Sequence, residues 1–408
     1  ADETEQRRRR TDRMTHTPSR TGRSRAAATT STLALVNQTA ILDALKTSGP
    51  MSKAQLGEAT GLSPATVNRI TAALMADGLV EHRGVEASTG GRPPIVLAFV
   101  GSARVVAAVQ IHSEEITGAL VDFEGVVVER VDRALPVSSP PQGLAVYRSV
   151  LDELERLGRE RGTPPLAVGV SVTGIVTSDS VVSGLDPARW AELTVADLAE
   201  GRDIDVMVEN DANALAIGEL HRGIGRDSPN FVTLLLERGL GAGIVTNGSV
   251  YRGHNSAAGE IGFLLVESSS FGKRFEESGD LETRLGAATI TRLADEEGIP
   301  HDGSIGAMEL IALARSGDER ALPLADRVLD DVARAVGAIA SILDPQAIVL
   351  GEGLDRESDF VAPALRSRLE GRIQRVPVIA TATLGADAVL LGAAEMAVRA
   401  AGRYAYLA

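Results

Sequence analysis

The sequence predicts a winged helix-turn-helix head followed by a two-lobed α/β body, and three observations carry that prediction. Between residues 33 and 99, three helical patterns lead into two strand patterns around a Gly-rich tip. From about residue 101, β-branched runs alternate with helical Ala/Leu patterns, in two successive sets, as an α/β fold with a cleft between its lobes requires. Charge divides at the same place: residues 1–99 hold 13 Lys+Arg and 9 Asp+Glu, net +4, while the remaining 28 and 46 leave −18. A basic head suits a polyanion, and an acidic body does not.

Composition bounds the function further. A chain of 408 residues, 44% apolar with mean hydropathy near zero, is long enough for two or three domains with ample core. No run of 18 apolar residues occurs and no apolar stretch of the secretory kind precedes Leu33, so a cytoplasmic, nucleoid-associated protein without a membrane partner is expected. The absence of cysteine excludes disulfides, thiolate chemistry and Cys-ligated zinc.

Residues 1–30 hold few large apolar side chains and many arginines. They read as a disordered basic tail, either simply solvated or adding nonspecific phosphate contacts. The stretch "TLALVNQTAILDALKTSG" places Leu35, Ile41, Leu42 and Leu45 on one helical stripe and ends at Gly49. In "SKAQLGEATGLSPATVNRITAALMADGLVEHRG", Ser52 and Ser63 are N-cap candidates, Gly61 supplies the turn and Pro64 suits a first helical turn. The helix from about Pro64 to Asp77 turns Val67, Ile70, Leu74 and Met75 inward. It leaves Ser63, Ala65, Thr66, Asn68 and Arg69 outward, side chains able to meet base edges and phosphates. With Ser52 and with Arg92 in the tip "STGGRPP", these are the candidate DNA-binding residues of a 31–99 domain. Arg92 reads either as a minor-groove guanidinium or as a plain linker cation.

In the 100–408 body, "VENDANALAIGE" (208–219) sets Glu209, Asn210 and Asp211 where a strand gives way to a helix. That is where an α/β protein presents polar groups to a ligand, although acidic residues at strand ends are also often only solvated.

The head segment "GPMSKAQLGEATGLSPATVNRITAALMADGLVEHRG", the tip "STGGRPP", "VENDANALAIGE", "GLGAGIVTNGSVYRGHNSAAGEIGF" and "LDPQAIVLGEGL" together resemble the ROK family of sugar-responsive repressors and sugar kinases, over about residues 33–400. The resemblance implies a sugar-kinase-like, actin/hexokinase-type body. It implies that Asp211 stands at the general-base position, that Asn210 hydrogen-bonds the sugar, and that Glu260 and Glu282 complete the sugar site. It also marks departures. Gln110 to Glu114 replace the first phosphate loop, Glu237 and Arg238 begin the second, and Glu352 sits inside the third. The family's zinc-loop His is Phe263, and the Cys-rich loop reads "ESSSFGKRFEESGDLE", so no metal is expected. His254 could substitute for the missing sugar-contacting His, or be structural.

The expected protein is therefore a DNA-binding transcriptional regulator, a repressor of carbohydrate genes, without a cofactor and without enzyme activity. Its expected partners are a double-stranded DNA operator, a small sugar effector and a second copy of itself, as a homodimer or dimer of dimers. An active sugar kinase with an added head, or a regulator controlled by a protein partner, are the alternatives.

Overall fold

The computed structural model describes residues 30–85, 95–112, 114–135, 140–178, 180–182, 193–236, 239–275 and 278–401. The basic tail, the wing tip with Arg92, and Glu237 with Arg238 lie outside these residues. The head comprises α1 (Thr30–Ser48), β1 (Met51–Ser52), α2 (Lys53–Thr60), α3 (Pro64–Ala76), β2 (Val80–Val85) and β3 (Ile95–Phe99). Ser52 and Ser63 cap α2 and α3, and Gly61 closes α2 at φ +69°, a left-handed conformation that glycine adopts without a Cβ penalty. Two strands were expected; Met51 and Ser52 add a third, giving the sheet order β1-β3-β2.

The body repeats one connectivity. Its first sheet orders β10 (Asp205–Asn210), β7 (Ala167–Val172), β4 (Val105–Ile111), β5 (Glu115–Asp122) and β6 (Val127–Ala134). The second orders β13 (Ser249–Val250), β12 (Leu240–Thr246), β11 (Phe231–Leu236), β14 (Ala347–Leu350) and β15 (Val378–Thr381). In each, an antiparallel three-strand meander is extended by two parallel strands, so both lobes bring the ends of their parallel strands to a common cleft. A small hairpin of β8 (Ile175–Val176) and β9 (Val181–Val182) lies beside the first sheet. The remaining helices are α4 (Pro140–Glu160), α5 (Val195–Ala199), α6 (Asp211–Arg222), α7 (Asp280–Leu285), α8 (Ala287–Glu296), α9 (Ala307–Arg315), α10 (Ala321–Leu343), α11 (Ser358–Leu369) and α12 (Ala388–Ala401).

Two helices tie the molecule together. α6 packs on β11 and β12 of lobe two, and α12 packs on β4 and β7 of lobe one. They touch at backbone distance, since a Cβ added to Gly392 would lie 1.8 Å from the Ala214 carbonyl oxygen. The fully buried Glu219 of α6 accepts hydrogen bonds from the Thr383 and Leu384 amides and the Thr383 hydroxyl, fastening the lead-in to α12. One apolar core then runs from the head (Ile41, Leu56, Val67, Ile70, Leu97) into the body (Val121, Phe123, Ala393, Ala397, Val398). The head is docked on the body through this shared core.

Candidate functional site

On the head, Ser63, Ala65, Asn68 and Arg69 are exposed and Thr66 is half-buried, while Val67, Ile70, Thr71 and Leu74 are buried and Met75 only partly. The outward row is therefore available. Ser52 is a correction: it is 4% exposed, and its hydroxyl and amide bond Gln55 in a capping box, so it holds α2 and cannot reach DNA. Asn68 Oδ1 accepts from Lys53 Nζ at 2.8 Å, so pairing both amide atoms with adenine requires Lys53 to move. Lys53 escaped the sequence reading because it lies one helix earlier, 15 residues away.

In the cleft, β10 ends at Asn210 and α6 begins at Asp211. Asn210 N-caps α6, accepting from the Asn213 amide at 3.1 Å, and its Nδ2 donates to the Gly174 carbonyl at 2.9 Å. Both side-chain polar atoms thus serve the scaffold. Asp211 accepts from Thr173 Oγ1 at 3.0 Å and from the Ala212 amide at 2.8 Å, which holds its carboxylate at the positive end of a helix. Gly259, at φ +97°, would place an added Cβ 1.9 Å from the Ala242 carbonyl; this close approach brings Glu260 in beside the sheet. Burial, then the charges of Asp211 and Glu282, hold the Glu260 carboxyl above the ordinary carboxylate range. Burial likewise raises Glu282, against the lowering effect of the Gly279 and Leu240 amides.

Asp211 and Glu282 therefore both lie close enough to Glu260 to act on its charge. His254 does not join them: it is exposed and, among the described residues, hydrogen-bonds none of the three.

Two bonds across the cleft were not foreseen. Gln110 of β4 donates from Nε2 to Glu352 Oε2 at 3.0 Å, joining two of the substituted phosphate-loop positions across the lobes. Arg252, beyond β13, pairs with Glu209 of β10, its Nε 2.8 Å from Oε2. Gln110, Ser171 and Glu209 lie in register on adjacent strands, so the two bridges flank one row of the sheet. No local pattern announces such pairs, because their partners are 242 and 43 residues apart.

The family's zinc does not fit here. Phe263 is 45% exposed and offers no ligand atom. The loop is held instead by Asp280, which accepts from the Val266 amide at 2.7 Å and Ser270 Oγ at 2.6 Å, and by Arg284 on Glu267. Among the described residues, no group of three His, Cys, Asp or Glu is arranged to hold a metal ion.

Residues 106–400 match the ROK family. The chain belongs to the ROK family. Residues 33–92 also match the MarR family. The chain is 24% identical to the xylose repressor of Bacillus subtilis (strain 168), over 83% of this chain and 87% of that protein. It is 28% identical to a glucokinase of Thermotoga maritima, over 68% of this chain and 92% of that one. The kinase is nearly fully matched while almost a third of this chain is left over, as a head added to a kinase-like body demands. In solved structures, a ROK family transcriptional regulator, a homologue of the E. coli MLC protein, superposes with TM-score 0.73 at 21% identity. That alignment covers 92% of this chain and 98% of that one, and bears out the winged head on a two-lobed α/β body.

Proposed function

We propose that this chain is a DNA-binding transcriptional repressor whose body senses a small neutral sugar and transfers no phosphate. The observation that carries the reading is the Gln110–Glu352 hydrogen bond. Where a kinase needs cations and backbone amides around polyphosphate, this chain places a neutral amide and a carboxylate bonded to each other. The acceptors Asp211, Glu260 and Glu282 suit several sugar hydroxyls, since charged acceptors strengthen such bonds. The same carboxylates oppose a phosphorylated sugar.

In this reading α3 enters the major groove, with Ser63, Ala65, Thr66, Asn68 and Arg69 toward DNA and Arg92 on the wing. Two copies bind one operator in the cytoplasm. Asn210 serves by fixing the start of α6, and His254 is left out of the sugar site. The sugar closes the lobes around Asp211, and only a difference in its affinity for two shapes can change the grip on DNA.

The test is calorimetry against a panel of pentoses and hexoses, combined with operator binding and ADP release in the presence of ATP. Saturable binding of one sugar, weaker operator binding with it and no ADP release are expected. Turnover abolished by Asp211→Asn would make the chain a kinase with an added head. Sugar-independent operator binding that yields only to a protein would favour control by a protein partner.

A further inference from the structure

A cavity of about 1470 Å³ opens at the seam between head and body, at the opposite end of α6 from Asp211. Its walls carry Lys46 from α1, Arg83 from β2, His221 and Arg222 from the last turn of α6, Arg226 just beyond it, and Arg399 from α12. Lys46, Arg83, Arg222, Arg226 and Arg399 carry the positive charge and come from both domains. Three carboxylates share the cavity, Asp43, Glu124 and Glu395, so positive charge is in excess here although residues 100–408 carry net −18.

Some of these groups already have partners, and Arg399 Nη1 lies 3.2 Å from His221 Nδ1. Glu395 serves both Arg222, at 3.0 Å, and Arg399, at 3.8 Å. Lys46 Nζ sits 5.7 and 5.4 Å from the ring centres of Phe99 and Phe123, which fix its position by cation–π attraction. Among the described residues, Arg222 Nε and Thr39 Oγ1, both belonging to residues that line the cavity, are buried without a hydrogen-bond partner. Burial, and then the neighbouring Arg399 guanidinium, hold the His221 imidazole below its ordinary range.

We propose that this cavity binds a small, multiply charged anion bearing phosphate groups, which bridges α1 and β2 of the head to α6 and α12 of the body. A carboxylate offers two oxygens in one plane. A phosphate presents several in different directions, and forked guanidinium donors from separate elements match that geometry. The bound anion clamps the head in one pose on the body. Because α6 runs from Asp211 to Arg222, the sugar and the anion act on the two ends of one rigid helix. The binding step is independent of the sugar reading; only its consequence for DNA rests on the proposed function.

The experiment is calorimetric titration of the full chain with inorganic pyrophosphate at ionic strength held constant with sodium chloride, alongside hydrogen exchange. One saturable site per chain is expected, with slowed exchange in α1 and α12. Arg226 and Arg399 are exposed, so Arg226→Gln and Arg399→Gln should fold normally, and each should weaken pyrophosphate binding about tenfold. Asp211→Asn should bind pyrophosphate as the parent does. The proposal is overturned by absence of saturable heat, by undiminished binding in a variant carrying both Arg226→Gln and Arg399→Gln, or by loss of binding in Asp211→Asn. Tighter binding of malonate than of pyrophosphate would overturn the phosphate assignment.

Discussion

At the residue scale, the carboxylate triad makes a directional prediction about pH. Burial and the charges of Asp211 and Glu282 raise the Glu260 pKa in the folded chain, whereas in the unfolded chain the group ionises at its ordinary value of about 4.3. Stability contributed by protonated Glu260 is therefore present below that value and lost as pH rises through the folded pKa. A sugar hydroxyl donated to the ionised carboxylate reverses the sign for binding. Sugar affinity should rise with pH over this interval, with proton release that calorimetry in buffers of unlike ionisation enthalpy detects. Glu260→Gln should flatten the slope. Asp211→Ala should abolish the response to sugar and leave operator affinity unchanged, because the residue acts only in the sensing half of the linkage. A normal response from this variant would remove the site from consideration as the sensor.

At the element scale, two serines of similar sequence context should behave differently from the arginine beside them. Ser52→Ala and Ser63→Ala remove caps of α2 and α3, and each should cost about 1 kcal/mol of stability, read from denaturant melts. Ser52→Ala should leave sequence preference intact. Arg69→Ala, exposed on α3, should instead cost about 1–3 kcal/mol of discrimination at one operator position with little change in melting. Gly392→Ala tests the junction of α6 and α12, where the new methyl would meet the Ala214 carbonyl. It should destabilise the chain by about 1–3 kcal/mol and weaken the coupling between sugar and DNA binding. Full coupling in a folded Gly392→Ala protein would show that the signal takes another route.

At the scale of the whole molecule, one head buries too little surface for tight specific binding, so a dimer on a repeated operator is expected, with half-sites ~34 Å or a multiple apart. Sedimentation of the isolated body, residues 100–408, tests where dimerisation resides; a monomer would move it to the head. The apolar stretch "ARAVGAIASIL" of α10 packs mostly within the chain. Val336, Gly337, Ile339 and Ala340 are buried within the chain, and Ile342 stands out at 77% exposure. The head and body share a core, so they should unfold together in one transition by both calorimetry and far-ultraviolet dichroism. Separate transitions would mean that the shared core contributes little.

Much of this protein could be read without coordinates, because the signals are local. Ser52, Ser63, Gly61 and Pro64 announce helix ends through the chemistry of their own backbone neighbourhood, and the turn, caps and strand patterns of the head follow from them. The position of Asp211, at the junction of a β-branched run and an Ala/Leu helix, is likewise written in twelve consecutive residues. Tertiary structure decided the rest. It turned Ser52 from a DNA-facing side chain into a buried cap and committed the Asn210 amide to the scaffold. It also left His254 outside the carboxylate cluster. Only the folded chain could join Gln110 to Glu352, or bring Lys46, Arg222 and Arg399 around one cavity. Periodicity and capping report on a few residues at a time. Pairing between residues hundreds of positions apart depends on how two sheets and a head pack, and that packing is set by the whole core at once.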